Sequence, residues 1–307
     1  MIYLYNISHY LQKILLSSIL MNIKNSPPFF IGIGAQRAGT SWLYSCLCEH
    51  PEVFMPRKEM HFFDNKYDKG VEWYCNEFSN CGEQQKSGEI TPDYMSNYQA
   101  LERIAQLSKQ IKLIVILREP IERAYSATQL YKSHGQFKGI SFNELLDREP
   151  SLLKKSLYSK QILAIYSLFP KENVFVGLFD DIEKDPRGFY NDICRFLSID
   201  VSFVPNIVNT KKNVSSMSSM QSALNLPKLQ KKLLSTKLAP LVRYIKMTRL
   251  YVVVKNKLLN WSESRDKSDY HAGISEEIKR FVIEDVKKLE IETGLDLSNW
   301  LKIYNRK

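Results

Sequence analysis

The sequence predicts an α/β fold: a central, mainly parallel sheet flanked by helices, with a helical C-terminal extension. Three observations predict it. Apolar runs of strand length at Phe29–Ile33, Lys112–Leu117 and Asn173–Phe179 are continuous rather than alternating, as in strands buried on both faces of a sheet. Stretches of helical period separate them, an order that implies βαβ units. The first run leads directly into a Gly-bounded turn and then a helix, which is the strand–turn–helix form of a phosphate site.

Taken in chain order, residues 1–28 read as an amphipathic segment that packs on the body or lies on a membrane surface. Lys13 interrupts it, and its run from Ile14 to Ile23 is half the roughly twenty apolar residues that a spanning helix needs. It lacks a basic region followed by a small-residue cleavage site, so a cytoplasmic protein is expected. Phe29–Ile33 follows Pro27-Pro28 as the first strand, and Trp42–His50 reads as a helix ended by Pro51. Lys86–Ile90 adds a short strand, and the helical stretch Ala100–Lys109 precedes Lys112–Leu117. Further helices are expected at Glu122–Tyr131, Ser159–Phe169 and Pro186–Leu197. Beyond Ser198 a polar loop is expected over 206–225, and a helical period, broken at Pro240, over 228–260. Gly273–Glu292 reads as a helix with Ser275-Glu276-Glu277 at its start and Gly294 as its stop. One domain spanning 29–307 is expected, with 201–262 as a basic, partly helical insertion or extension.

The 307 residues are 44% hydrophobic and 25% charged, ordinary for a globular chain. The net charge of +10 is concentrated: Val201 to Ser262 holds eleven Lys and Arg and no Asp or Glu. Such a stretch is a solvated basic face or a surface for an anionic partner. The five cysteines are odd in number and have no C-x-x-C pair, so free thiols are expected, with a Cys75–Cys81 disulfide possible only in a secreted protein. No zinc-like ligand spacing is present in the sequence, and no metal is expected.

The turn reads GAQRAGTS, Gly34 to Ser41. Its two glycines are spaced as in a P-loop, but Thr40-Ser41 stands where a Walker A loop has Lys followed by Ser or Thr. The lysine that reaches β- and γ-phosphates is missing, which argues against an ATPase or kinase. A dinucleotide fingerprint fails as well, because its third glycine would fall at Arg37. Arg37 inside the loop, with Thr40 and Ser41 at the helix start, suits a single 5′-phosphate bearing a second anionic group. Read by itself, the turn is either that cradle or a plain Gly-containing strand-to-helix turn.

A second constellation is LIVILREPIERAYSATQLY, Leu113–Tyr131. Arg118 ends a strand at the edge where parallel sheets bind ligands, and Ser126 lies about two turns into the following helix. The pair could fork a second phosphate; the alternative is a surface ion pair of Arg118 with Glu119 or Glu122. The third is PRKEMHFFD, Pro56–Asp64, in which an extended chain would put Glu59 and His61 on one face. A carboxylate beside an imidazole near a phosphate cradle can take a proton from an attacking hydroxyl. Trp73 and Tyr74 are either sugar-stacking or core residues.

Together these segments resemble the sulfotransferases that use 3′-phosphoadenosine-5′-phosphosulfate (PAPS). GAQRAGTSWLY is similar to their 5′-phosphosulfate loop and LIVILREPIERAYSATQLY to their 3′-phosphate strand and helix. KEMHFFD, GEITPDY, FPKENVFVGLFDDIEKDPRGFYNDICRFLSI and TGLDLSNWL resemble the carbohydrate branch, which includes heparan sulfate sulfotransferases and bacterial relatives. The resemblance implies a P-loop-type three-layer sandwich and PAPS as donor, with PAP left after transfer. It implies a hydroxyl, or an amine, of a saccharide or glycolipid as acceptor. It assigns Glu59 as the base with His61 beside it, and Gly34, Arg37, Ala38, Gly39, Thr40, Ser41 and Trp42 to the 5′-phosphosulfate. Arg118 and Ser126 fall to the 3′-phosphate. Heparan-type members carry Lys in place of Arg37 and another Lys near Ile90, so acceptor binding at Ile90 differs here. No nucleic-acid partner is expected, because no aromatic–basic pattern of an RNA module occurs. The basic helices leave peripheral membrane contact as an expectation.

Overall fold

The computed structural model describes residues 26–137, 139–210, 271 and 273–304. The expected N-terminal amphipathic segment, the basic helical stretch 228–260 and most of the loop 206–225 therefore lie outside the described residues.

In chain order the described elements begin with β1 (Phe30–Gly34), α1 (Thr40–Glu49), β2 (Val53–Phe54), α2 (Phe62–Asn65), α3 (Val71–Asn76) and β3 (Lys86–Ile90). They continue with α4 (Tyr98–Leu107), β4 (Lys112–Leu117), α5 (Pro120–Ser133), α6 (Phe142–Arg148), α7 (Pro150–Lys154) and α8 (Ser159–Leu168). The last are β5 (Val174–Leu178), α9 (Phe179–Lys184), α10 (Pro186–Leu197), α11 (Glu276–Thr293) and α12 (Ser298–Tyr304). These residues form two compact units, one of 26–118 with 160–210 and one of 119–159 with the described C-terminal residues.

The first unit holds a five-stranded, all-parallel sheet in the order β2-β3-β1-β4-β5. This is the α/β architecture expected from the sequence. β1 is buried along its whole length and β4 is buried from Leu113 to Leu117, which is why both read as unbroken apolar runs. β3 pairs with one edge of β1 and β4 with the other, so the chain lays β2 and β3 on one side of β1 and β4 and β5 on the other. The carboxyl end of β1 is thus a topological switch point, the place where open α/β sheets bind ligands. Gly88 of β3 is in register with Phe30 of β1, and a methyl group added there would overlap the Phe30 ring. A Gly88→Ala substitution is expected to destabilise the unit by about 3 kcal/mol, read as a lower urea midpoint.

Capping explains the helices that were legible. The Asn97 side chain accepts the Ala100 N–H, and α4 then buries Ala100, Leu101, Ile104 and Ala105 at helical spacing. α10 begins with Asp185 accepting from Gly188 N–H and a proline in its first turn, and it ends at Ser198 in the left-handed region. Its predicted bounds are the observed ones. α1 is tied to the chain that follows α10. The Trp42 indole donates to the Val208 carbonyl (3.1 Å), a His50 ring nitrogen bonds the Asp200 carbonyl (2.9 Å), and Glu49 accepts the Asn206 N–H (2.6 Å). The five cysteines carry free thiols.

The second unit is helical in its described residues. Glu119 caps α5 by accepting the Ile121 and Glu122 N–H groups, and the proline at the first helical position extends the helix two residues before its expected start at Glu122. Ala124, Ala127, Leu145, Leu146 and Leu152 form a core among α5, α6 and α7. The buried Arg123 guanidinium donates to the Leu152 carbonyl at 2.9 Å. α11 starts at Glu276 rather than Gly273, because Ser275 is its cap, accepting the Ile278 N–H; it stops at Gly294 in the left-handed region, as expected. The α11 residue Asp285 is buried and accepts the Tyr158 N–H at 2.7 Å. No helix among the described residues is long and apolar enough to cross a membrane.

Candidate functional site

The loop at the switch point is held from below and bent twice. The Ala35 N–H donates to the Ile116 carbonyl of β4 at 2.7 Å, fixing the loop's start to the neighbouring strand. Arg37 (φ 76°) and Gly39 (φ 90°) are both left-handed. Two left-handed residues in so short a turn make a tight bend, and bends of this kind occur in the backbone nests that bind anions. α1 starts immediately, with the Trp42 and Leu43 N–H groups donating to the Gly39 carbonyl, so its positive end faces the turn. Gly39 combines a positive φ with contact against Phe179 and Ile182, so a side chain there would be strained and crowded. Trp42 itself is buried, and its indole N–H and backbone N–H are both engaged within the protein.

Arg118 sits where the sequence puts it, at the end of β4. Its guanidinium donates to the Arg37 carbonyl (3.3 Å) and lies 4.6 Å from the centre of the Phe179 ring. A cation is therefore fixed against the loop backbone rather than loose on the surface. Ser126 belongs to the other unit, half-buried in the second turn of α5.

The Glu59 segment departs from the expected extended form. Glu59 (φ 56°) and His61 (φ 52°) are both left-handed, so alternation along a strand does not place them together. Anchors to β3 and the residues after it do. The Glu59 N–H donates to the Ile90 carbonyl (3.1 Å) and the His61 N–H to the Thr91 hydroxyl (3.4 Å). The outcome is still a carboxylate near an imidazole, with Glu59 Oε2 4.0 Å from His61 Nε2. The other face of the ring is fixed by Asp64, whose Oδ2 lies 2.9 Å from His61 Nδ1. Lys58 completes the connection: its Nζ donates to Ser41 Oγ at 2.8 Å and lies 3.3 Å from Glu59 Oε1. Polar contacts thus run from the loop's last hydroxyl through Lys58 and Glu59 to His61 and Asp64. The Glu59 side chain is 41% exposed and Asp64 only 8%, so the chain of contacts passes from an open end to a buried anchor.

Sequence reasoning missed Lys58 and Asp64, although both stand within PRKEMHFFD; their signal was a charged residue one or three positions from a candidate site residue. Tyr74 is a core residue, since its ring is buried and its hydroxyl donates to Glu89 at 2.8 Å. The Trp73 ring is flanked by Lys69 at 4.4 Å and Arg57 at 5.3 Å. Ile90 is fully buried and lies close beside Gly32, so its side chain belongs to the sheet interior. Among the described residues no group of three or more His, Cys, Asp or Glu could hold a metal ion.

A tight strand-to-helix turn at the switch point thus carries a cation against its backbone and is tied through Lys58 to an exposed carboxylate. The chain belongs to the sulfotransferase domain family, whose model matches residues 27–248. It is 32% identical over 180 residues to human heparan sulfate glucosamine 3-O-sulfotransferase 3B1, covering 56% of this chain and 46% of that protein. It is 30% identical over 185 residues to human heparan sulfate glucosamine 3-O-sulfotransferase 5, covering 56% of this chain and 54% of that one. The chain thus spans about half the length of the curated relatives it matches. The crystal structure of a sulfotransferase from Alicyclobacillus acidocaldarius shares the fold, with a TM-score of 0.63 at 22% identity over 90% of this chain and 99% of that one.

Proposed function

We propose that the protein transfers the sulfuryl group of PAPS to a hydroxyl, or an amine, of a carbohydrate or glycoconjugate, with Glu59 as general base. The observation that carries this reading is the link from Ser41 through Lys58 to Glu59, which joins the strand-to-helix turn to a solvent-accessible carboxylate. The 5′-phosphosulfate would lie in the turn between Ala35 and the start of α1, with Arg37 beside it, and Arg118 and Ser126 are assigned to the 3′-phosphate from their motif.

In the transfer, Glu59 removes the proton of the acceptor hydroxyl as its oxygen bonds to sulfur. The bond from sulfur to the bridging 5′-phosphate oxygen breaks, and PAP leaves with the electron pair. Charge grows on that bridging oxygen, where Arg37 and the loop N–H groups stabilise it. His61, fixed by Asp64, orients the carboxylate from its far side. The relatives named for heparan sulfate support a saccharide acceptor, while Ile90, buried here, cannot contribute a cation to it. The basic stretch 201–262 is proposed as the approach for an anionic acceptor, and a cytoplasmic, peripherally membrane-associated location stays with this reading.

The test is transfer of radiolabelled sulfate from PAPS to a pool of glycans and glycolipids, with the labelled product identified, alongside binding of PAP and ATP. Transfer with PAP bound more tightly than ATP is expected. ATP bound more tightly than PAP would return the loop to phosphoryl chemistry.

A further inference from the structure

A buried carboxylate outside the mechanism above collects several donors from the segment that carries Glu59 and from its neighbours. Glu89, in β3, is fully buried. Its Oε2 accepts the Thr91 hydroxyl at 2.7 Å, and its Oε1 accepts the Tyr74 hydroxyl at 2.8 Å and the Tyr94 hydroxyl at 3.3 Å. The backbone N–H of Met60 donates to the same carboxylate. Two of those hydroxyls pass the connection on. Thr91 Oγ1 accepts the His61 N–H at 3.4 Å, and Tyr94 OH accepts the Phe62 and Phe63 N–H groups at 2.8 and 3.4 Å.

The N–H groups of four consecutive residues, 60 to 63, therefore end on one carboxylate, directly or through one hydroxyl. Residue 59 is held by the next carbonyl along the strand, that of Ile90. This is the stretch in which Glu59 and His61 are left-handed, a conformation such residues keep only where their surroundings impose it. We propose that Glu89 is a positioning residue, whose carboxylate organises the turn that aims Glu59 and His61 at the donor loop. Burial raises the Glu89 carboxyl, opposed by the hydrogen bonds from Thr91, Tyr74, Met60 and Tyr94. Burial and then the charge of Glu89 raise the Tyr74 and Tyr94 hydroxyls, which stay protonated and donate.

The inference rests on Glu59 being the base, and the test separates the two. In Glu89→Gln one oxygen becomes an NH₂ that meets donors instead of accepting from them. Turnover should fall by about tenfold or more, while PAP affinity and KM for PAPS stay within about twofold. In the Glu59→Gln background the same substitution should change turnover by less than about twofold, because the group it positions has been removed. A full additional loss in that background, or wild-type turnover in Glu89→Gln, would overturn the proposal while leaving Glu59 as base. An unimpaired Glu59→Gln would instead remove the reading on which it rests. If Glu89→Gln does not fold, as judged by thermal unfolding, Thr91→Val and Tyr94→Phe each remove a single hydroxyl and must show the same coupling to Glu59. Wild-type turnover in both would equally overturn it.

Discussion

A Glu59→Gln variant is expected to turn over at least about 10²-fold more slowly than the wild type while binding PAP with unchanged affinity. The amide has nearly the carboxylate's shape but cannot take up the acceptor's proton at neutral pH. The cradle from Gly34 to Ser41 is not altered by the change. Glu59 gives up only partly exposed contacts with Lys58 (3.3 Å) and His61 (4.0 Å), so stability should stay within about 0.5 kcal/mol. Single-turnover sulfate transfer together with PAP titration reads both quantities. If Glu59→Gln kept near-normal turnover and His61→Ala lost it, the base would be the imidazole.

The second large effect is expected at Arg37, where stability and activity should part. Arg37→Gly removes the guanidinium proposed to stabilise the developing charge, and turnover should fall by about 10²- to 10³-fold. The same change removes the steric cost of a side chain at φ 76°, about 1 kcal/mol. Against this stands the greater unfolded-state freedom of glycine, about 0.5–1 kcal/mol, so the urea midpoint should hardly move. Arg37→Lys keeps a positive charge and should recover most of the lost turnover, although it cannot reproduce the planar fork. An Arg37→Gly protein with wild-type turnover would remove Arg37 from the reaction.

Much of the scaffold was legible because its signals are local. Lys112–Leu117 and Pro186–Leu197 have their predicted bounds, since a buried parallel strand shows as an unbroken apolar run and α10 carries its own cap and proline; Lys86–Ile90 has them too, although KSGEI is no apolar run. The third long strand was overrun at both ends. Asn173 closes a short 3₁₀ turn and Phe179 already opens α9, and no breaker residue marks either boundary. The helices α6 and α7, of seven and five residues, were not foreseen, because so short a run shows little periodicity. The loop residues were read correctly as to place, since glycines mark a strand-to-helix turn. The Glu59 turn was not, because no glycine signals its left-handed residues. What imposes that turn is a carboxylate thirty positions away in β3, a long-range cause that local spacing does not contain.

The ties between α1 and the residues after α10 bear on where this protein can be cut. A boundary drawn at the end of the last regular helix before the basic stretch, Leu197, looks natural from secondary structure alone. It would discard the Val208 and Asp200 carbonyls and the Asn206 N–H, which secure the helix that follows the Gly34–Ser41 turn. A fragment meant to keep α1 in place must therefore run to Thr210, the last residue of the sheet-bearing unit.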